Sequence, residues 1–332
     1  MKNKFRNRIL IGLLTGTVIF SGFANVFAED AEMDIETIER MQKEGTLSAP
    51  SEEGTLSAPT EEGTLSASSE EGTLSPSSKS SIFSGVPETT GTDEKMQGLM
   101  EQLQNSLPTS NGSWSVYVCD LKTGSEGSIN NHAMQAASLV KLYIMGAIYE
   151  NYDNIIAAYG KDNVDTNLYY MITVSDNDAA NTLTTYLGGG DSSTGMAMVT
   201  GYASSHGFVN SSMGRLLLHS NEFGDNYTSV DDCGHLFQAI MAGDSADYPH
   251  AQDMFNLLAQ QQRRNKIPAQ LSGVSVANKT GELDTVENDA GIIYNAANDL
   301  IIVFMSEQLN EVGSAQNTIA SLSKMIYDYY NS

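Results

Sequence analysis

Three short groups of polar residues in this 332-residue chain have the types and spacing needed for nucleophilic acyl transfer. The first, Ser138-Leu-Val-Lys141, opens an apolar run that reads as a helix. Positions i and i+3 share one helix face, so the lysine amine can reach the serine hydroxyl. A serine is a weak nucleophile until a base takes its proton, and a buried lysine with a depressed pKa supplies one. Unpaired backbone N–H groups at a helix start also favour the negative charge of a tetrahedral oxyanion. Alone, the pattern is common, and a serine there is an ordinary helix cap. Its weight comes from the other two groups.

The second group, Ser175-Asp176-Asn177, falls in a break between a helix ending near Met171 and another beginning at Asp178. Ser175 fits a proton relay to the leaving group, Asn177 fits a holder of a substrate amide, and Asp176 can brace the loop through backbone hydrogen bonds. Polar residues between helices are otherwise unremarkable. The third group, Lys279-Thr280-Gly281, ends a β-rich segment. Lys279 adds positive potential and assists the leaving group, and Thr280 offers a hydroxyl to an anionic substrate end. Gly281 lets substrate lie close against the strand. The backbone N–H of Glu282 is a candidate second oxyanion donor. Three such groups in this order are far rarer by accident than any one of them.

Both ends of the domain must supply strands to position these residues. Met96, Leu99, Met100, Leu103 and Leu107 recur at helical spacing, giving a first helix that stops near Pro108. Ser113 to Asp120 is rich in β-formers, Lys122 to Ser125 supplies a turn, and Gly127 to Asn131 returns. A long helical region follows from Ser138 to about Gln262. Strand patterning resumes at Val274 to Lys279, Ala290 to Tyr294 and Leu300 to Ser306, before a closing helix from Ala315 to Tyr330. A helical insert thus sits between the two halves of one sheet, with the terminal helices over one sheet face.

Composition narrows the function. The net charge of −24 repels phosphate backbones and anionic lipid, and no basic stripe is present, so no nucleic-acid partner is expected. The five histidines and two cysteines show no metal-ligand spacing, so neither metal nor other cofactor is expected. Lys2, Lys4, Arg6 and Arg8, the apolar run from Ile9 to Phe23, and Val26-Phe27-Ala28 read as an export signal over residues 1–28. The protein is therefore expected to be secreted, or tethered to the membrane if the leader is not cleaved. Residues 29–90 carry a nonapeptide repeat, Glu-Gly-Thr-Leu-Ser beginning at Glu44, Glu53, Glu62 and Glu71. Units so short and polar cannot bury enough surface to fold, so they read as an acidic linker rather than a calcium or wall-polymer site.

With these motifs, and with the runs Ala137-Ser138-Leu-Val-Lys141, Ser175-Asp-Asn-Asp-Ala-Ala-Asn181 and Arg263-Arg-Asn-Lys-Ile-Pro268, residues 95–332 resemble the class A β-lactamases. The resemblance implies an α+β, β-lactamase/transpeptidase-like fold. Its five-stranded antiparallel sheet would be flanked by the terminal helices (91–135 and 270–332), with an all-helical lobe (136–269) and the site between them. It implies a monomeric serine hydrolase using Ser138, Lys141, Ser175 and Lys279, with Asn177, Thr280, Gly281 and Glu282 binding a small β-lactam or cell-wall peptide. It also places Cys119 on the first strand and Cys233 in the helical lobe, too far apart to bond, as two buried thiols.

Two departures stand out. The family's E-x-x-L-N run, whose glutamate activates the deacylating water, is missing from Gly207 to Asp225; Glu222 is the lone glutamate there and reads first as an exposed loop residue. No arginine closely follows Lys279-Thr280-Gly281, where Glu282, Asp284 and Glu287 would weaken binding of an acidic substrate tail. Three readings stay open: a β-lactam hydrolase, a D-alanyl-D-alanine carboxypeptidase or transpeptidase that penicillin acylates stably, and a catalytically idle binding module.

Overall fold

The structure, a computed structural model, describes residues 91–222 and 224–332. The expected leader and repeats lie outside these residues. Helix α1 (Glu94–Ser106) begins where the Asp93 carboxylate accepts a 2.7 Å hydrogen bond from the Met96 N–H, the ordinary action of an acidic N-cap. It buries Met96, Leu99 and Leu103 and ends at Leu107, because the residue before Pro108 is disfavoured in helical backbone. Strands β1 (Ser113–Asp120) and β2 (Ser125–Ile129) then form an antiparallel hairpin.

After the short β3 (Met134–Gln135) and a 3-10 turn (Ala137–Leu139) comes α2 (Val140–Glu150), followed by α3 (Tyr152–Tyr159) and α4 (Lys161–Thr173). Helices α5 (Asn177–Leu187) and α6 (Ser192–Ser205) lead to β4 (Tyr227–Thr228), which pairs with β3. Then come α7 (Val230–Ala242), α8 (Ala251–Leu258) and a second 3-10 turn (Ile267–Gln270). The chain returns to the sheet through β5 (Ser275–Leu283), β6 (Val286–Tyr294) and β7 (Leu300–Glu307), and closes with α9 (Val312–Asn331). The sheet is five-stranded and antiparallel, in the order β2-β1-β7-β6-β5, so the expected mixed architecture is the one observed.

Strands β1 and β7 are buried almost throughout instead of alternating, because both sheet faces are covered. The period of two survives in where the side chains go. Val116, Val118, Ile302 and Phe304 pack with Met96, Leu99, Ile319 and Ile326 of the terminal helices. Tyr117, Cys119, Ile301 and Val303 join the opposite core, shared with α2, α5 and α7. Every residue of α2 except Glu150 is buried, which explains why a helix that is apolar all round belongs at the centre. At Gly146 an added Cβ would lie 2.3 Å from Tyr202 Oη, so α6 can approach α2 this closely only past a glycine. Cys119 and Cys233 are both buried and unbonded, with burial raising their thiols to about 11 and about 12. Among the described residues, no helix is long and apolar enough to cross a membrane.

Candidate active site

Ser138 lies in the 3-10 turn that precedes α2, not in the α-helix itself. The chain reaches it through Ala137, whose φ of 48° is left-handed backbone that an alanine adopts at a cost. Ser138 is half-buried, and its hydroxyl forms no hydrogen bond among the described residues.

Lys141 is fully buried. Its Nζ donates to the Ser175 carbonyl oxygen at 2.6 Å, to Ser175 Oγ at 3.2 Å and to Asn177 Oδ1 at 2.7 Å. This corrects the expected direct link to Ser138, since the amine is drawn across the cleft by three acceptors on the Ser175 turn. Burial lowers the Lys141 pKa to about 7; Asp176 opposes that shift and Arg263 adds to it.

The Ser175 turn is the second strained point, with φ of 63° at a buried serine. Asp176 caps α5 by accepting from the Ala179 N–H at 2.7 Å, the bracing role expected of it. Ser175 Oγ accepts a second bond, at 2.8 Å, from Lys279 Nζ, which also donates to the Thr280 carbonyl at 2.8 Å. One hydroxyl therefore sits between two buried amines. Lys279 is pushed well below the ordinary lysine range, first by burial and then by Lys141 and Arg263.

Lys279, Thr280 and Gly281 lie within β5, which continues to Leu283 because it pairs with β6 down to Val286; the expectation that the strand ends at Lys279 is corrected. A Cβ on Gly281 would stand 2.9 Å from the Ala136 carbonyl and 3.2 Å from the Ser138 nitrogen. The glycine is thus needed to admit the Ser138 turn itself, and it brings the backbone of Glu282 next to that turn. Hydrogen bonds join Lys141, Ser175, Asn177, Lys279 and Thr280, Gly281 packs against the backbone of the Ser138 turn, and Glu282 follows it on β5.

The expected acidic rim is corrected in part. Glu282 is held by Arg263 at 3.0 Å and by Lys266 at 3.1 Å. Its burial works against ionisation, but Lys266 and Arg263 prevail and hold its carboxyl below the usual range. Glu287 is buried against Lys266 at 2.6 Å, and Asp284 is exposed. Arg263 also donates from Nε to the Val174 carbonyl at 3.3 Å, so it bridges the Ser175 turn and β5. Sequence reasoning singled out the Arg263 to Pro268 segment without giving Arg263 or Lys266 a task.

It also missed Asn181, one helical turn beyond Asn177 and therefore on the same face of α5. Asn181 Oδ1 accepts from the Leu217 N–H at 2.8 Å, and Nδ2 donates to the Leu217 carbonyl at 3.1 Å. The loop of residues 207–225 is thus clasped beside the cleft at a buried leucine. Glu222 is exposed, and its backbone N–H donates to Ser220 Oγ at 3.2 Å. Among the described residues, no three His, Cys, Asp or Glu side chains cluster as a metal ion would require.

The comparisons with known proteins agree with this architecture. The family described as "Beta-lactamase enzyme family" matches residues 98–155 and 159–330. The chain belongs to that β-lactamase enzyme family. Among solved structures, it is similar to a β-lactamase from Sphaerobacter thermophilus DSM 20745, at 21% identity and TM-score 0.59, over 70% of this chain and 96% of that one. It is similar to PBP-A at 21% identity and TM-score 0.62, over 74% and 98%. An ancestral class A β-lactamase aligns at 20% identity and TM-score 0.60, over 70% and 100%. No curated protein sequence matches significantly.

Proposed function

We propose that the protein is an exported serine acyl-transfer enzyme, acylated at Ser138 by β-lactams and by related cell-wall peptide amides, that releases its acyl group slowly. The observation that carries this reading is the Ser175 hydroxyl held between the buried amines of Lys141 and Lys279, with Gly281 of the same strand packed against the turn of the half-buried Ser138. Maintaining two lysines and two strained turns around one serine is costly unless their chemistry is used.

Ser138 Oγ attacks the amide carbonyl while neutral Lys141 takes its proton, through Ser175 or after a rotamer change. The developing oxyanion takes hydrogen bonds from the backbone N–H groups of Ser138 and Glu282. Ser175 passes a proton to the leaving nitrogen and is resupplied by the adjacent amines. Asn177 Oδ1 is committed to Lys141, which leaves its NH2 group for a substrate carbonyl.

Slow release rests on the loop that passes α5. Its clasped residue is Leu217, Glu222 is exposed, and Asp225 is committed to Arg215 at 2.7 Å and Gln135 at 2.9 Å, which supports a loop whose described carboxylates do not activate water. A leucine-to-glutamate variant of PBP-A was captured as an acyl-enzyme with penicillin G, and the same covalent state is expected here. The test is intact-mass spectrometry after exposure to benzylpenicillin and a chromogenic cephalosporin, with Ser138→Ala as control. An adduct that persists supports the proposal. Rapid return of free enzyme would make the protein an efficient β-lactamase, and no adduct from several lactam classes would leave an idle binding module.

A further inference from the structure

The cations around the cleft are unusually committed. Arg263, between the Ser175 turn and β5, is paired with Glu282 at 3.0 Å, and Lys266 is paired with Glu287 at 2.6 Å and Glu282 at 3.1 Å. The two remaining amines, Lys141 and Lys279, are spent on the Ser175 turn, and burial favours their neutral forms. A carboxylate entering beside Thr280 would find the Arg263 guanidinium already paired and would meet the carboxylate of Glu282 two residues along the strand. Glu282 is only half-buried, so its charge reaches the space that a ligand must enter.

We infer that Glu282 is a specificity-determining residue, a resident carboxylate that occupies the Arg263 guanidinium and directs the cleft to amides with no free carboxylate beyond the scissile bond. The substrate class is then an internal peptide bond or an amidated terminus, not a C-terminal acid. The Thr280 hydroxyl, which has no partner among the described residues, donates equally well to an uncharged carbonyl.

This inference rests on the cleft being the substrate site, and its test separates it from the acylation reading. Equilibrium binding to the Ser138→Ala protein is measured by calorimetry for benzylpenicillin and for its methyl ester. With Glu282 present, the ester binds at least as tightly as the acid. Glu282→Gln keeps Lys266 paired with Glu287, and it is expected to tighten the acid by about fivefold, the scale of one half-exposed ion pair, while leaving the ester unchanged. Adding Arg263→Gln removes that gain. Thermal melts confirm that the variants are folded. An acid preference of the Glu282 protein, or an acid-to-ester ratio unmoved by Glu282→Gln, overturns the inference, as does failure of both probes to bind. If the binding preference holds but the protein with Ser138 intact is never acylated, the acylation proposal falls and the inference stands.

Discussion

Two loops meet helix α5, one at its start and one along its side, and they are built on opposite terms. The turn carrying Ser175 tolerates a left-handed serine and brings two buried amines onto one hydroxyl. The loop of residues 207–225 is secured by ordinary structural bonds: Asn181 to Leu217, Arg215 to Asp225 at 2.7 Å, and Asn226 Oδ1 to the backbone of Gly214 and Arg215 at 3.0 and 3.1 Å. The loop has a left-handed residue of its own, Leu218 with φ of 65°, so backbone strain does not separate the two; the difference lies in the buried amines that the Ser175 turn gathers. On the proposed reaction, the difference separates the two halves of the cycle: the groups assigned to acylation surround the Ser175 turn, while the loop is assigned none for deacylation.

Removing Lys141 should break the reactive side most. Lys141→Ala is expected to lower the acylation rate by about 10²–10⁴-fold, the range of a lost general base. The pH profile sharpens the assignment. The neutral amine is the active form, and its pKa lies near 7, so acylation should rise as pH climbs through that value and level off above it. A stopped-flow acylation series from pH 5.5 to 9 checks this. A flat profile would remove Lys141 from the role of base.

The quiet side can be converted as well as broken. Leu217→Glu places a carboxylate at the clasped point one turn along α5 from Asn177. If that point borders the acyl group, the decay of the adduct should accelerate by about 10²-fold, the lower end for general-base catalysis. The acyl mass is followed over time, with a melting curve to confirm that burying a glutamate has not unfolded the loop. An unchanged decay would show that the clasp lies too far from the ester.

How much of this was legible in the residues follows the same division. The three polar groups, the β-formers of Ser113 to Asp120 and the helical spacing of Met96 to Leu107 are local patterns, so they could be read directly, and the sheet followed from strands at both ends of the domain. What escaped depends on contacts between distant segments. Nothing near Lys279 announces that Arg263, sixteen residues earlier, neutralises Glu282. The direction of the Lys141 amine depends on acceptors 34 and 36 residues away. Asn181 was visible within a familiar run, but its partner is a leucine, a residue type with no chemical signal.

Asn181→Ala tests the clasp alone. It strips two hydrogen bonds from the Leu217 backbone and should cost about 1–3 kcal/mol of stability, as for buried groups left unpaired. Denaturant unfolding measures the loss, and acylation of the folded fraction should change far less than in Lys141→Ala.

The smallest effect belongs to Glu222. It is the loop's sole glutamate and thus the natural suspect for a water-activating base, yet its side chain is exposed and, among the described residues, no hydrogen bond or ion pair joins it to Ser138, Lys141 or Ser175. Glu222→Gln should alter adduct formation and decay by less than about twofold, as for other exposed substitutions. A clear slowing of decay in this variant would mean that the loop folds inward over the acyl-enzyme, and the contrast between a reactive turn and an inert loop would then hold only for the unacylated protein.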